Sequence, residues 1–450
     1  MACVVDNPVE RREGPSSIRV TITDGDRGSP EERLPFTIDG VPYTFDLEAV
    51  DERGDRAGSF DGFIRIEAQP GDVFVTSAPE GSVSSNVKMS GGRAEGVVAQ
   101  VSRAYGDAVL WAEDVGFSPG PPGVEAACSN REDDDGDGLY DFPADPGCFF
   151  ANDDDEDAGG YATGLSETLH FANPRLADIQ GGTSATPLPG AGVTVDVGDP
   201  GAPEVIVTRL AVDGMYLSDL RSLDEFGHVF AFNFSTPQQT RVCDRLSRID
   251  GIVSEFFGFT ELNFPSWQVV PWEGEAGDGT CPVPEPKIVD GALLNDVEAM
   301  EAYEAALVRV VDVEVGQFVD CDLNDDGNVN FPDGSICDRE CECSNQCEMS
   351  GNCTELTQYL EYGQWTAALG AGSGPKIFVV SNATVPTWDP AEHQGEHVSV
   401  ITGTLRQIQF IDPPWILEPR CPADLVAEGD PAPMDEACVT SRTEDPDDVL

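Results

Sequence analysis

From Asp322 onward, oxygen-bearing side chains recur at the spacing of one cation-wrapping loop. Asp322, Asn324, Asp326, Asn330 and Asp333 stand at loop positions 1, 3, 5, 9 and 12. Gly327 at position 6 permits a sharp turn, Asn328 at position 7 offers its backbone carbonyl, and Val329 supplies an apolar anchor. Calcium is a hard cation that takes 6 to 8 oxygens at about 2.3–2.6 Å, so the loop is expected to bind one Ca²⁺. Cysteines crowd the same stretch: Cys321, Cys337, Cys341, Cys343, Cys347 and Cys353. Zinc is the competing chemistry for them. Irregular spacing, the lack of histidine and the adjoining oxygen-rich loop favour disulfides. A second acidic run, Asp133, Asp135, Asp137 and Asp141 with Gly138 at the turn, is expected to hold a second Ca²⁺, and the flanking Cys128 and Cys148 could close it.

The loop at 322–333 resembles the calcium loop of dockerin-type repeats, which also carry Asp at position 12. A dockerin continues into a helix at this point, whereas here the cysteines follow. The run at 133–141 resembles thrombospondin type 3 calcium repeats and Asp-rich boxes of secreted bacterial proteins. Its next acid, Asp145, comes one place later than that repeat pattern implies.

The whole chain has the same character as these loops. Its 450 residues carry 25 Lys plus Arg against 83 Asp plus Glu, a net charge of −58. Phosphate binding needs Lys and Arg, so this balance argues against nucleic acid as a partner and suits an extracellular, calcium-rich setting. Hydrophobic content of 40% is enough for folded cores, and the length suggests about three domains. Thirteen cysteines point to an oxidising compartment. No apolar stretch approaches the roughly 18 residues of a membrane span. Ala2-Cys3 resembles the end of a bacterial lipobox, which makes Cys3, the odd cysteine, the expected lipidation site and the only membrane attachment.

The elements that must position these residues read as all-β and multidomain. Residues 1–16 form a polar tether. From 17 to 117, seven alternating runs (IRVTITD, PFTI, YTFDLEAV, GFIRIEA, DVFVTS, EGVVAQV, AVLWAED) are separated by Asp-Gly turns and fit an immunoglobulin-like β-sandwich. An Asp-rich calcium-binding linker is expected over 118–160. Within 161–284, the matches Val205–Thr208, Met215–Asp219, Asp244 and Gly251–Leu262 resemble the OB-fold domain that accompanies secreted bacterial endonucleases. Cys243 stands where those proteins have Gly before the Asp, and Cys281 is its candidate disulfide partner.

A helical pattern at 292–304, with Leu293, Val297 and Met300 on one face, leads into a strand. The segment Glu301-Ala302-Tyr303-Glu304 resembles the approach to a strand in the same secreted proteins. Residues 285–427 are therefore expected to form a second OB-type barrel, with the calcium and disulfide insertion at 319–356. An acidic tail follows at 428–450, with Cys421 a candidate to tie Cys438.

Catalytic motifs fail on context. His393-Gln-Gly-Glu396-His397 matches the inverted zinc-protease pattern, but Gly395 and Pro390 oppose the helix that chemistry requires. GAGSGPK at 370–376 lacks the spacing and hydroxyl of a phosphate loop. The expectation is a non-enzymatic, calcium-stabilised, secreted or lipid-anchored bacterial surface protein with a structural or adhesion role. Its partners would be calcium and a cell-surface glycan or protein. The alternative is a module binding oligosaccharide or single-stranded nucleic acid through an open OB face, with Tyr216, Phe230, Phe232 and Phe234 as stacking residues.

Overall fold

A computed structural model describes residues 15–117, 123–156, 162–197, 204–224, 226–275, 277–316, 358–359, 362–370, 374–430 and 438–439. The loop at 322–333, the six cysteines from Cys321 to Cys353 and Cys3 lie outside the described residues. The protein is nearly all β, with 42% strand and 7% helix. It divides into two compact units, Met1–Asn173 and Pro174–Leu450.

The first unit is built on two sheets. Strands β1 (Ser17–Asp24), β2 (Val41–Val50), β3 (Phe63–Gln69), β4 (Asp72–Ser77), β5 (Asn86–Lys88), β6 (Arg93–Ser102), β7 (Gly106–Asp114), β8 (Thr163–Leu165) and β9 (Leu169–Phe171) compose it. One sheet runs β1-β2-β6-β4; the other runs β5-β3-β7-β8, with β9 also on β7. Period-two alternation produces this directly, since β1 buries Ile18, Val20 and Ile22 and turns Arg19 and Thr21 to solvent. Phe45 and Leu47 from one sheet share a core with Ile64, Ile66 and Leu110 from the other.

Two sequence expectations change here. PFTI forms no strand; only Leu34 beside it makes an isolated bridge, to Phe171. Residues 163–171, expected at the start of the first barrel, pair instead with β7 through Thr163–Leu165 and Leu169–Phe171.

The second unit contains two barrels of one design. In the first, helix α1 (Leu176–Gln180) precedes β10 (Gly192–Asp196), β11 (Val205–Ala211), β12 (Gly214–Asp219), β13 (His228–Phe232), β14 (Arg245–Phe256) and β15 (Phe259–Val270). The ring closes in the order β11-β12-β13-β15-β14 and back to β11, with β13 and β15 parallel. The second takes β16 (Lys287–Ile288), helices α2 (Gly291–Leu294) and α3 (Val297–Glu301), then β17 (Leu307–Val315), β18 (Gln364–Leu369), β19 (Lys376–Val380), β20 (His397–Gln407), β21 (Trp415–Glu418) and β22 (Leu425–Ala427). Its ring repeats the plan, β17-β18-β19-β21-β20 and back to β17, with β19 and β21 parallel. Closure leaves fewer open edges for pairing with other chains.

The single helix expected at 292–304 is two short ones. Asp290 caps α2 by accepting the Ala292 and Leu293 amides, and Asp296 restarts the chain by capping α3 through Ala299. Val297, expected on the apolar face, is exposed.

Candidate metal centre and the covered barrel face

Asp133, Asp135 and Asp137 each bring a carboxylate oxygen to within 4.8 Å of the others. Local hydrogen bonds fold the loop into that shape. Asp133 accepts the Gly136 and Gly138 amides at 2.7 and 3.1 Å, Asp135 accepts the Asp137 amide at 3.0 Å, and Asp137 accepts the Leu139 amide at 2.8 Å. Gly138 sits at φ +93°, where a Cβ would be strained.

Asp141 does not join this group. Its Oδ1 accepts the Arg131 amide at 2.9 Å. Asp145, one place late in the repeat pattern, also lies outside the three-acid group but acts on it through its charge. It is only 2% exposed, its Oδ1 accepts the Gly147 amide at 2.6 Å, and its buried Oδ2 has no hydrogen-bond partner. An unsatisfied buried carboxylate oxygen is costly unless a cation or donor meets it. Asp145 also acts on Asp135. The Asp137 amide pulls the Asp135 carboxyl down, yet desolvation and the charges of Asp137, Asp145 and Asp133 together push it above the usual carboxylate value. A hard cation would relieve the crowding of Asp133, Asp135 and Asp137, so these three acids could hold calcium.

The loop is anchored from behind. Cys128 and Cys148 form a disulfide across 20 residues. Buried Glu156 accepts the Asp134 and Asp141 amides at 2.7 and 3.2 Å, so one carboxylate fixes the backbone within the cluster and beyond it. Phe149 and Phe150 pack on Phe63 and Phe117, with ring centroids 5.6 to 6.4 Å apart. The stretch expected as a linker is thus a folded element on the sandwich. Gly147 is required there, because a Cβ would stand 1.7 Å from the Glu156 carbonyl oxygen.

The aromatic residues expected on an open barrel face are divided by the structure. Tyr216 and Phe230 are buried with Phe259 and with Ala305 of the second barrel. The Tyr216 hydroxyl donates to Glu418 at 2.9 Å, and Arg209 pairs with the same carboxylate and donates to Thr404 at 2.7 Å. Despite desolvation, Arg209 and Arg406 hold Glu418 below its usual value, so the buried pair is ionised. The β12–β13 face is therefore occupied by the second barrel. Phe232 is half-buried and Phe234 exposed, and Phe234 lies 5.6 Å from exposed Phe264. A separate exposed trio, Phe256, Phe257 and Phe410, gathers where the β14–β15 turn meets the β20–β21 turn, bridged by the Gln409 amide donating to the Phe257 carbonyl at 2.9 Å.

Motif residues of the first barrel serve the fold. Asp219 accepts the Glu204 and Arg221 amides at 2.9 and 3.0 Å, and Asp244 accepts those of Arg241 and Trp272, both at 2.9 Å. Cys243 takes φ +81°, a conformation glycine favours, and is bonded to Cys281; Cys421 is bonded to Cys438. The pairings suggested for Cys128, Cys243 and Cys421 are all present.

The histidine motif does not assemble. His393 ends the short 3₁₀ turn Pro390–Glu392 and meets Glu396 at 2.8 Å, while His397 opens β20 and faces Asp312 at 3.4 Å. A pocket of about 330 Å³ lies beside β16, and the lysine on its wall is already paired. Lys287 pairs with Asp224 at 3.0 Å and sits 4.6 Å from the Tyr303 ring centre. His228, also on that wall, is pushed down to about 4 by burial, and its two ring nitrogens are taken by Ser218 and the Leu223 carbonyl.

Sequence reasoning missed three features: Asp145 as a ligand candidate, Glu156 as the loop's anchor, and the burial of Glu301 and Glu304. Only Asp145 left a trace, as the acid out of register. No family model matches the chain, and no curated protein matches it by sequence.

Proposed function

We propose that this chain is a non-enzymatic, calcium-stabilised extracellular or cell-surface protein with a structural or adhesion role. In this reading an immunoglobulin-like sandwich is followed by two OB-type barrels. The carrying observation is the convergence of Asp133, Asp135 and Asp137, with the unpartnered, buried Oδ2 of Asp145 in the same loop. The rest of the loop is built as a holder: disulfide behind, Glu156 beneath, phenylalanines against the sandwich. The OB reading is supported by the strand order of both rings and by the parallel pairs β13–β15 and β19–β21. The disulfides suit an oxidising compartment, and lipid attachment through Cys3 is part of the same proposal.

Calorimetry on disulfide-intact protein tests the calcium reading. A ligand that binds only the folded state stabilises by RT ln(1 + [L]/Kd), about 2.7 kcal/mol at a hundredfold excess over Kd. Chelation is expected to lower the melting temperature, and calcium to restore it. An unchanged melting curve, with no calcium recovered by elemental analysis, would leave the loop an acidic turn.

One observation favours a second reading. Phe256, Phe257 and Phe410 are exposed together at the turns before the last ring strand of each barrel, where an OB fold engages ligands. A binding module would use that site and not the covered face of β12 and β13. Loss of glycan binding in Phe257→Ser and Phe410→Ser on a glycan array would establish it.

A further inference from the structure

Where the two barrels meet, three segments bring four acids together. Glu301 ends α3 and Glu304 lies in the turn that follows it, Glu255 is near the end of β14, and Glu261 is in β15. Glu301, Glu304 and Glu261 are buried and Glu255 is half-buried. Their hydrogen-bond partners are neutral. Glu304 accepts the Thr260 amide at 2.8 Å, and Glu255 accepts the Thr186 amide at 2.9 Å and the Thr260 hydroxyl at 3.3 Å. Glu301 accepts the Gln407 side-chain amide. Two buried acceptors in this group, Glu255 Oε1 and Gln407 Oε1, have no hydrogen-bond partner. A cluster that is rich in acceptors and short of donors is completed by protons on its carboxyls.

We propose that this seam is a pH-sensitive latch, closed while Glu255, Glu301 and Glu304 hold protons and loosened as they lose them. The facing groups support this. Gln180, Gln407, Thr186, Thr260 and the other glutamates surround the trio, and none of these is a cation. Arg406 faces Glu261, together with Asp213 and Glu255. Desolvation raises all four acids. Glu301 and Glu261 are pushed up to about 7, and Glu304 stands well above the ordinary value of 4.5.

An acid raised on folding contributes stability that is complete below about 4.5. That contribution is lost as pH climbs through about 7, because the charged form prefers the open, hydrated state. The latch secures a specific surface. Glu261 pairs across the sheet with Phe230, and Ala305, next to Glu304, covers the Tyr216–Phe230–Phe259 cluster. Loosening would uncover that aromatic face of the first barrel. A surface protein would then present different faces in acidic and in neutral surroundings.

Hydrogen–deuterium exchange tests this on the full, disulfide-intact chain with calcium held saturating. After correction for intrinsic rates, amides of 255–261 and 297–306 are expected to exchange at least about tenfold faster at pH 8 than at pH 5.5. Sandwich strands β2 and β6 should show no such difference. Glu304→Gln and, separately, Glu301→Gln should reduce the difference, because an amide cannot lose a proton in this range. Equal exchange in the seam at both pH values would overturn the latch. So would a full pH response retained in both single variants. The wild-type exchange measurement decides the matter even if a variant fails to fold.

Discussion

Asp145 and Asp141 are the two candidates for a fourth acid beside Asp133, Asp135 and Asp137, and neither lies within that group. Both are acids in the same loop, but Asp141 spends an oxygen on the Arg131 amide while Asp145 keeps a buried one unpartnered. Asp145→Asn leaves an amide oxygen that can still accept from Gly147, so the turn should survive while the charge is lost. Without calcium this variant should be as stable as wild type or more so, since a like charge near Asp135 has gone. With calcium the order should reverse, with affinity falling roughly tenfold, about 1.4 kcal/mol. Asp141→Asn should change affinity far less. Isothermal titration with melting curves in chelator and in calcium would check both; equal losses for the two variants would return the fourth position to Asp141.

At the scale of elements, the long strands were legible because alternation and Asp-Gly turns are local signals. Strands β1, β2, β3, β4, β6 and β7 could be read almost in full. What escaped has physical causes. Strands β8 and β9 are three residues each, too short for a period, and they exist because β7 offers an edge. The break in the helix at 292–304 is a capping event at Asp296, invisible to a count of apolar positions. Glu301 and Glu304, charged and three apart, give no local sign of burial, which comes from tertiary contacts such as Gln407 on Glu301 and Thr260 on Glu304. Of the candidate centre, the three-acid nucleus was visible as spacing; its docking through Phe149 and Phe150 depends on tertiary contact. Phe149→Ala should therefore cost about 2 kcal/mol, below the roughly 3–5 of a fully buried phenylalanine because Phe149 is only half-buried. It should weaken calcium binding too, since Phe149 lies four residues beyond Asp145. Calorimetry with and without calcium would show the two effects together, whereas unchanged calcium affinity would mean the loop holds its shape without docking.

For the molecule as a whole, the barrels and the charge pull toward different partners. Barrels of this strand order bind oligonucleotides as well as sugars in other proteins, through the face and turns around their second and third strands. Here that face in the first barrel is filled by Ala305, Glu418 and their neighbours, so its best aromatic platform is covered. A net charge of −58 sets a second barrier, because phosphate contacts need cations, and two bound Ca²⁺ would offset only four of those charges. Exposed arginines of the first barrel that could reach a phosphate are already paired, Arg245 with Glu204 and Arg248 with Asp250. Single-stranded DNA should therefore bind no tighter than about 10⁻⁴–10⁻⁶ M, the range of non-specific association at physiological salt. Fluorescence anisotropy at pH 5.5 and pH 8 would test this and bear on the seam as well. Sub-micromolar binding at pH 5.5 would overturn the structural reading in favour of an OB-type binding module. Binding that appears only at pH 8, and is lost in Phe230→Ser, would instead mean that the covered face has been opened.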